Sequence, residues 1–335
     1  MKIAIFEVED WERGAFEGLS KGHDVIITHG HLTKENAHEY ADREVVSTFI
    51  YSDLSRDAIK ELKDLRLIAT RSTGFDHIDT AYCVERGIRV ANVPAYGDNT
   101  VAEHVFGLIL AISHRLIDAV ERTRRGEFTE QGLMGFDLKD KTLGVIGTGA
   151  IGRYVIEIAK GFRMKVLAFD KRPNDIFASR MGFRYAPLDE VLSLSDIITL
   201  HLPAVPETHH FLSEREFDLM KKGVVVINTA RGSLIDIQAL LKAVSSGKVS
   251  AVGLDVLPEE PTIREEAELI RSIAQRRPLE SLLADHILLR LRNVVITPHS
   301  AFYTREAVQR ILDTTIENIS AYMNAEPRNL VVGGS

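Results

Sequence analysis

Residues 142–170, reading TLGVIGTGAIGRYVIEIAKGFRMKVLAFD, constrain the fold of this chain more than any other stretch. Residues 143–146 are a short apolar run of strand type, and Gly147-Thr148-Gly149-Ala150-Ile151-Gly152 is a glycine loop. Residues 154–160 then open a helix, and residues 165–169 form a second strand closed by Asp170. Gly147 allows a tight turn, Gly149 lets the backbone reach a pyrophosphate, and Gly152 lets the helix pack close to the strand. The helix N-terminus offers unpaired N–H groups to phosphate oxygens. Asp170 stands 18 positions after Gly152, near the ~20 expected for a carboxylate on the adenosine ribose hydroxyls. Glycine loops also occur as plain turns, so it is the full order of strand, loop, helix, strand and acid that predicts a dinucleotide site.

At 335 residues the chain exceeds what one core usually supports, which predicts two domains. The 48 acidic and 41 basic residues leave a net charge of -7, which provides no general field for nucleic acid or an anionic membrane. Local basic clusters, residues 122–125 and 271–277, read as solvated helix faces or subunit contacts. Cys83 is the only cysteine, so neither an intrachain disulfide nor a cysteine-based metal site can form, and no metal is expected. The apolar start at residues 3–6 is interrupted by Glu7, Glu9 and Asp10, and no apolar run reaches the ~18 residues of a membrane span. A reducing, cytoplasmic setting is the expectation.

From the first residue, strand and helix patterns alternate. Strands are expected at 2–6, 24–28, 44–51 and 67–70, and helices at 11–19, 34–41 and 55–62, which makes a small α/β domain. This domain has no glycine loop after its first strand. Glu7-Val8-Glu9-Asp10 stands there instead and would repel phosphate, so substrate is a better fit than cofactor. Arg71-Ser72-Thr73-Gly74-Phe75-Asp76 follows the fourth strand directly, at the edge where open α/β sheets place ligand loops, and its amides could cradle a carboxylate. The same loop could equally be an ordinary turn. Residues 94–99 look like a linker, and residues 100–116 repeat apolar positions at helical spacing, as expected of a buried helix between domains. His104 within it reads as a core or interface histidine. Residues 123–139 are polar, with several glycines and no clear period, and read as an arm. After Asp170 further strands are expected at 196–200, 223–228, 250–256 and 293–297, before an amphipathic helix at 304–324. That helix is too short for a third domain and is expected to pack back on the first. The expected division is 1–98 with 300–335 for the substrate domain, and 99–299 for the cofactor domain.

Three stretches of the second half end strands of the cofactor sheet: Asn228-Thr229-Ala230-Arg231-Gly232, residues 255–261 (DVLPEEP), and Thr297-Pro298-His299-Ser300-Ala301. Arg231 could hold a carboxylate bidentately, His299 could exchange a proton near neutral pH, and Glu260 could orient and charge that histidine. Each residue also has a plainer reading: a surface ion pair for Arg231, a solvated acid for Glu260, a capped turn for His299.

Taken together these motifs resemble the D-isomer-specific 2-hydroxyacid dehydrogenase family, from about Lys2 to Asn324. N-x-x-R-G, E-P after a D-V strand, and P-H in that family carry the substrate arginine, the glutamate and the acid-base histidine. They correspond to Arg231, Glu260 and His299, and Val101-Ala102-Glu103-His104 resembles the family's V-x-E-H helix. The resemblance implies two doubly wound α/β domains, a Rossmann NAD-binding domain and a discontinuous flavodoxin-like substrate domain. It implies NAD as cofactor, held by Gly147, Gly149, Ala150, Ile151, Gly152, Asp170, Pro203, Thr208, Thr229, Ala230, His299 and Ala301, with Asp255 facing the nicotinamide carboxamide. Substrate is implied for Ser72, Thr73, Gly74, Arg231 and His299, with Tyr51, Tyr96, Phe302 and Tyr303 as side-chain pocket candidates. A homodimer through the cofactor domain is implied too. Within the family the lactate dehydrogenase branch is closest, through Pro94-Ala95-Tyr96, residues 298–304 and the long segment 262–292. Gly97-Asp98 departs from the Ser-Pro often found there. Two alternatives are another 2-keto acid reductase of the family, acting on glyoxylate, hydroxypyruvate or a branched keto acid, and an NAD-binding co-repressor-like scaffold.

Overall fold

A computed structural model describes residues 1–257 and 287–333. The chain divides into two compact units, Met1–Tyr96 with Thr304–Ser335, and Gly97–Tyr303. The division lies two and four residues from the expected boundaries.

In chain order the first unit contributes β1 (Lys2–Ile5), β2 (Asp24–Ile27), β3 (Val45–Thr48), β4 (Leu67–Thr70) and β5 (Arg89–Ala91). The second contributes β6 (Thr142–Ile146), β7 (Lys165–Phe169), β8 (Arg184–Tyr185), β9 (Ile197–Leu200), β10 (Val224–Asn228), β11 (Val249–Leu254) and β12 (Val294–Ile296), and β13 (Leu330–Val332) returns to the first. The first sheet has the order β13-β5-β4-β3-β1-β2 and is parallel except for β13, which runs antiparallel to β5. The second has the order β12-β11-β10-β9-β6-β7-β8 and is parallel throughout. β3, β4, β9 and β10 are buried at every position, as central parallel strands covered on both faces must be. Strand order reverses between β1 and β3 in the first sheet and between β6 and β9 in the second. These reversals are the switch points where doubly wound sheets bind ligands.

Helix Ala150–Gly161 buries Gly152, Val155, Ile156 and Ala159, a single stripe at 3.6-residue spacing. Helix Asp98–Ser113 buries Ala102, Val105, Phe106 and Ile109, and Leu108 rides over Gly253 of β11. Helix Arg305–Met323 packs in the first unit, where Asn318 donates to the Asn92 carbonyl at 2.8 Å and Val308, Leu312 and Ile319 join Ile3, Ile5 and Leu67 in one core. Its N-cap is Thr304, whose hydroxyl accepts from Ala307 N–H.

Several expected elements differ in extent. The 34–41 helix is reduced to the 3-10 turn Ala37–Tyr40, and the 11–19 helix to Arg13–Phe16 with a following 3-10 turn. β3 ends at Thr48, so Tyr51 lies beyond the strand rather than at its end, and is 49% exposed. Helix Thr80–Arg86, β5, β8, β13 and helix Leu116–Arg124 have no counterpart in the sequence reading. Residues 125–139 carry neither helix nor strand.

Candidate active site

The glycine loop turns directly out of β6. Gly147 has φ +92, and a Cβ there would lie 2.5 Å from the His201 carbonyl oxygen. A Cβ on Gly152 would lie 2.1 Å from the Gly147 carbonyl oxygen, whereas a Cβ on Gly149 would meet nothing within 4 Å. Gly147 and Gly152 are therefore required by the protein's own packing. At Gly149 the space is open, as a cradle for an outside group needs. The helix begins at Ala150 rather than at residue 154, with Gly149 as N-cap and no side chain capping its first amides.

Asp170 follows β7, and its Oδ2 accepts the Thr148 N–H at 2.7 Å and the Thr148 hydroxyl at 2.9 Å. Its Oδ1 accepts Arg172 N–H at 2.8 Å. Burial pushes the carboxyl up, but these donors from Arg172 and Thr148 and the charge of Arg153 outweigh it, so Asp170 sits below the usual carboxylate value. Thr148 gives its only hydroxyl proton to Asp170, so Tyr185 must donate to Thr148 across 2.9 Å. Oδ1 keeps acceptor capacity for a further hydroxyl.

After β9, Thr208 is buried and fastens its own loop, donating to the Pro203 carbonyl at 2.6 Å and accepting Val205 N–H at 3.0 Å. Pro203 is exposed on that loop. After β10, the buried Asn228 side chain accepts Ala230 N–H at 3.0 Å and donates to the Arg231 carbonyl at 2.9 Å. It thereby shapes the turn that presents Arg231, whose guanidinium donates to the Ala230 carbonyl at 2.8 Å. The Thr229 hydroxyl is buried without a hydrogen-bond partner among the described residues.

Asp255, just past β11, has a fully buried side chain. Its Oδ1 accepts the Thr297 hydroxyl and Ser300 N–H, the latter at 2.9 Å, and its Oδ2 accepts Ala301 N–H at 2.9 Å. Both oxygens of this carboxylate are thus engaged by the turn after β12. His299 stands in that turn with φ +54, a left-handed conformation uncommon outside glycine. His104, expected as a plain core or interface histidine, brings Nε2 to 3.0 Å from the Thr297 hydroxyl and 3.6 Å from Asp255. β10, β11 and β12 are neighbours, so the Arg231 and His299 turns leave one edge of one sheet. Glu260 lies outside the described residues, as do residues 271–277.

In the first unit, the Ser72 hydroxyl donates to the Gly74 carbonyl at 2.6 Å and the Thr73 hydroxyl to the Val93 carbonyl at 2.8 Å. Both hydroxyls are spent on the turn. The Thr73 and Gly74 amides have no acceptor among the described residues and remain as candidate anion donors. Glu7, at the β1/β3 switch point with φ +57, accepts Tyr51 N–H, Ser52 N–H and the Ser52 hydroxyl, and its carbonyl accepts from buried Arg71. A carboxylate therefore fills the crevice that a phosphate loop would occupy. Tyr51 meets His31 and Phe49 edge-on, each at 5.8 Å. Tyr96 is half-buried and its carbonyl accepts from Arg310 at 2.7 Å. In the second unit Phe302 packs beside Gly97 and meets Tyr303 edge-on at 5.8 Å. Asn228, Thr297 and Glu7 carried no individual role in the sequence reading. The position of Thr297 two residues before His299 was the available signal for one of them.

Open space at Gly149, uncapped amides at Ala150, an ionised Asp170 with spare acceptor capacity and an orphaned Thr229 hydroxyl define a nucleotide-binding α/β protein suited to an NAD-type dinucleotide. Among the described residues no cluster of three or more His, Cys, Asp or Glu is placed to hold a metal ion, and no single helix is long and apolar enough to cross a membrane.

Residues 106–301 match the D-isomer specific 2-hydroxyacid dehydrogenase, NAD binding domain family. The chain is 36% identical over 340 residues to a D-lactate dehydrogenase of Escherichia coli, covering 99% of this chain and 100% of that one. It is 36% identical over 330 residues to an aromatic 2-oxoacid reductase of Clostridium sporogenes, covering 96% of each. The solved D-lactate dehydrogenase of Aquifex aeolicus, complexed with NAD and lactic acid, superposes with a TM-score of 0.87 at 34% identity over 99% of this chain and 100% of that chain. The chain belongs to the D-isomer-specific 2-hydroxyacid dehydrogenases and is an NAD-dependent oxidoreductase.

Proposed function

We propose that this enzyme interconverts pyruvate and D-lactate, with His299 as the proton donor in the reductive direction. The observation that carries the reading is the pair of turns after β10 and β12, one presenting Arg231 and the other His299 from the same sheet edge. NADH, when bound, supplies the hydride for C2 of the keto acid. Arg231 grips the carboxylate and polarises the carbonyl as charge develops on its oxygen. The amides of Thr73 and Gly74 hold carboxylate oxygens, and His299 gives its proton to the carbonyl oxygen. Glu260, by family resemblance, favours the protonated imidazole. The glycine loop, Asp170, Pro203, Thr208, Thr229, Ala230 and Ala301 hold the cofactor, and the Asp170 charge favours NAD over its 2′-phosphorylated form.

Tyr51, Tyr96 and Phe302 line the side-chain pocket in this reading. A second reading, reduction of aromatic 2-keto acids, is supported by the ring cluster of His31, Phe49 and half-exposed Tyr51 and by the named activity of the Clostridium relative. A methylene or two is worth only about 1–3 kcal/mol of discrimination, so both substrates can register. Following NADH consumption with glyoxylate, pyruvate, hydroxypyruvate, a branched keto acid and phenylpyruvate, and determining the handedness of the product, tests this. Pyruvate should turn over fastest and yield the D-isomer; no oxidation with pyruvate would overturn the proposal. We also propose a homodimer, supported by exposed Leu116, Ile117, Val120, Phe128 and Met134 on the 116–124 helix and the arm. Sedimentation across a concentration series tests it.

A further inference from the structure

We propose that His104 is a positioning residue for His299, acting through Thr297 and Asp255; this rests on the acid-base reading of His299. Thr297 has one hydroxyl proton and lies closest to Asp255 Oδ1, an acceptor-only carboxylate with no solvent exposure, so the proton goes there. The Thr297 oxygen can then only accept from His104 Nε2, which fixes the His104 tautomer with its proton on Nε2.

Four donors therefore converge on one relay: His104 into Thr297, and Thr297, Ser300 N–H and Ala301 N–H into Asp255. The last two amides belong to the two residues that directly follow His299. The Thr297 carbonyl accepts His299 N–H at 3.0 Å, so the histidine is pinned on both sides while its backbone stays at φ +54. A left-handed non-glycine residue persists only where its surroundings over-determine it. The carboxylate provides that restraint, and His104 holds the hydroxyl that orients the carboxylate. Because His104 sits on helix Asp98–Ser113, which packs over β11 through Leu108, the acid-base group is referenced to a helix and not to its own loop.

The test compares wild type with His104→Ala, His104→Gln, Thr297→Val and the double variant His104→Ala/Thr297→Val. Amide hydrogen exchange at Ser300 and Ala301 reports the restraint without relying on turnover. His104→Ala should speed exchange at both amides and lower kcat by about tenfold to a hundredfold, with KM for NADH nearly unchanged. His104→Gln, whose carboxamide can still donate to Thr297, should restore both. The double variant should be no worse than Thr297→Val, since both changes cut one relay. Unchanged exchange and kcat in a folded His104→Ala protein, or additive losses in the double variant, would overturn the inference. A wild-type protein that turns over no keto acid would remove the proposed function, and the exchange experiment would still decide whether His104 holds the His299 turn.

Discussion

One oxygen of the Glu7 carboxylate accepts both the N–H of Ser52, at 3.0 Å, and the Ser52 hydroxyl. The other oxygen accepts Tyr51 N–H at 3.0 Å. Glu7 thus fixes the backbone on which the Tyr51 ring is mounted. Bonds to a charged acceptor are worth about 1.5–3 kcal/mol each, and a carboxamide offers one oxygen where the carboxylate offers two. Glu7→Gln should raise KM for the keto acid about threefold to tenfold, leave KM for NADH unchanged, and lower Tm by a few degrees. Steady-state kinetics in both substrates check this. An unchanged keto-acid KM would remove Tyr51 from the pocket.

Two of the loop glycines, Gly149 and Gly152, should fail in different ways when changed to alanine. Gly152→Ala places a Cβ against the Gly147 carbonyl at 2.1 Å, so the helix must shift and stability should fall by about 1–3 kcal/mol. Gly149→Ala meets open space, so its melting temperature should stay near wild type while NADH affinity falls. Thermal melts paired with fluorescence titration of NADH separate the two effects. Equal loss of stability in both would contradict the division of tasks.

Asp170 supports a prediction in pH as well as in cofactor choice. Its carboxyl is held below the ordinary value in the folded chain, so its stabilising contribution is fully present above the unfolded value and is lost as pH falls through the folded one. The Tm difference between wild type and Asp170→Asn should be constant from pH 7 to about 4 and shrink below that. Wild type should use NADH at least about tenfold better than NADPH, and Asp170→Ala should narrow that ratio, with Lys171 and Arg172 limiting the contrast. Comparing kcat/KM for the two cofactors measures it.

His201, beside Gly147 at the end of β9, has the opposite linkage. Burial pushes its imidazole down to about 3, and Nε2 lies 2.9 Å from the Thr199 hydroxyl. The folded state keeps the ring neutral, while the unfolded chain takes up a proton from about pH 6.5 downward. Stability should therefore fall with decreasing pH across that window, by at most about 1.4 kcal/mol per pH unit from this group. Urea melts of His201→Asn between about pH 6 and 4 should show a shallower decline than wild type.

The second unit was the more legible in sequence because its chemistry and its periodicity agree. Glycines at 147, 149 and 152 carry backbone requirements that no other residue type meets as well, and the fully buried strands stand out as Val and Ile runs. β7 matches its expected bounds residue for residue. The first unit was less legible. Helices Arg13–Phe16 and Arg56–Ile59 are one turn long and are held by packing rather than by their own pattern, and the 34–41 stretch reads as helix yet closes only the 3-10 turn Ala37–Tyr40. β5 and β13 are three residues each, too short to carry a period. In the site, residues that offer a distinctive functional group, such as Arg231 and His299, were readable by type. Those that act by holding backbone, such as Asn228, Thr297 and Glu7, were not, since any buried polar residue can hold backbone and only the fold says which strand ends meet.

The return of helix Arg305–Met323 and β13 to the first sheet orders events during synthesis. Residues 97–303 form a contiguous unit that can fold as soon as they leave the ribosome, whereas β5 waits, with one edge unpaired, for the last strand to be made. A nascent chain halted near residue 303 should already bind nucleotide while its N-terminal segment still exposes that edge to chaperones.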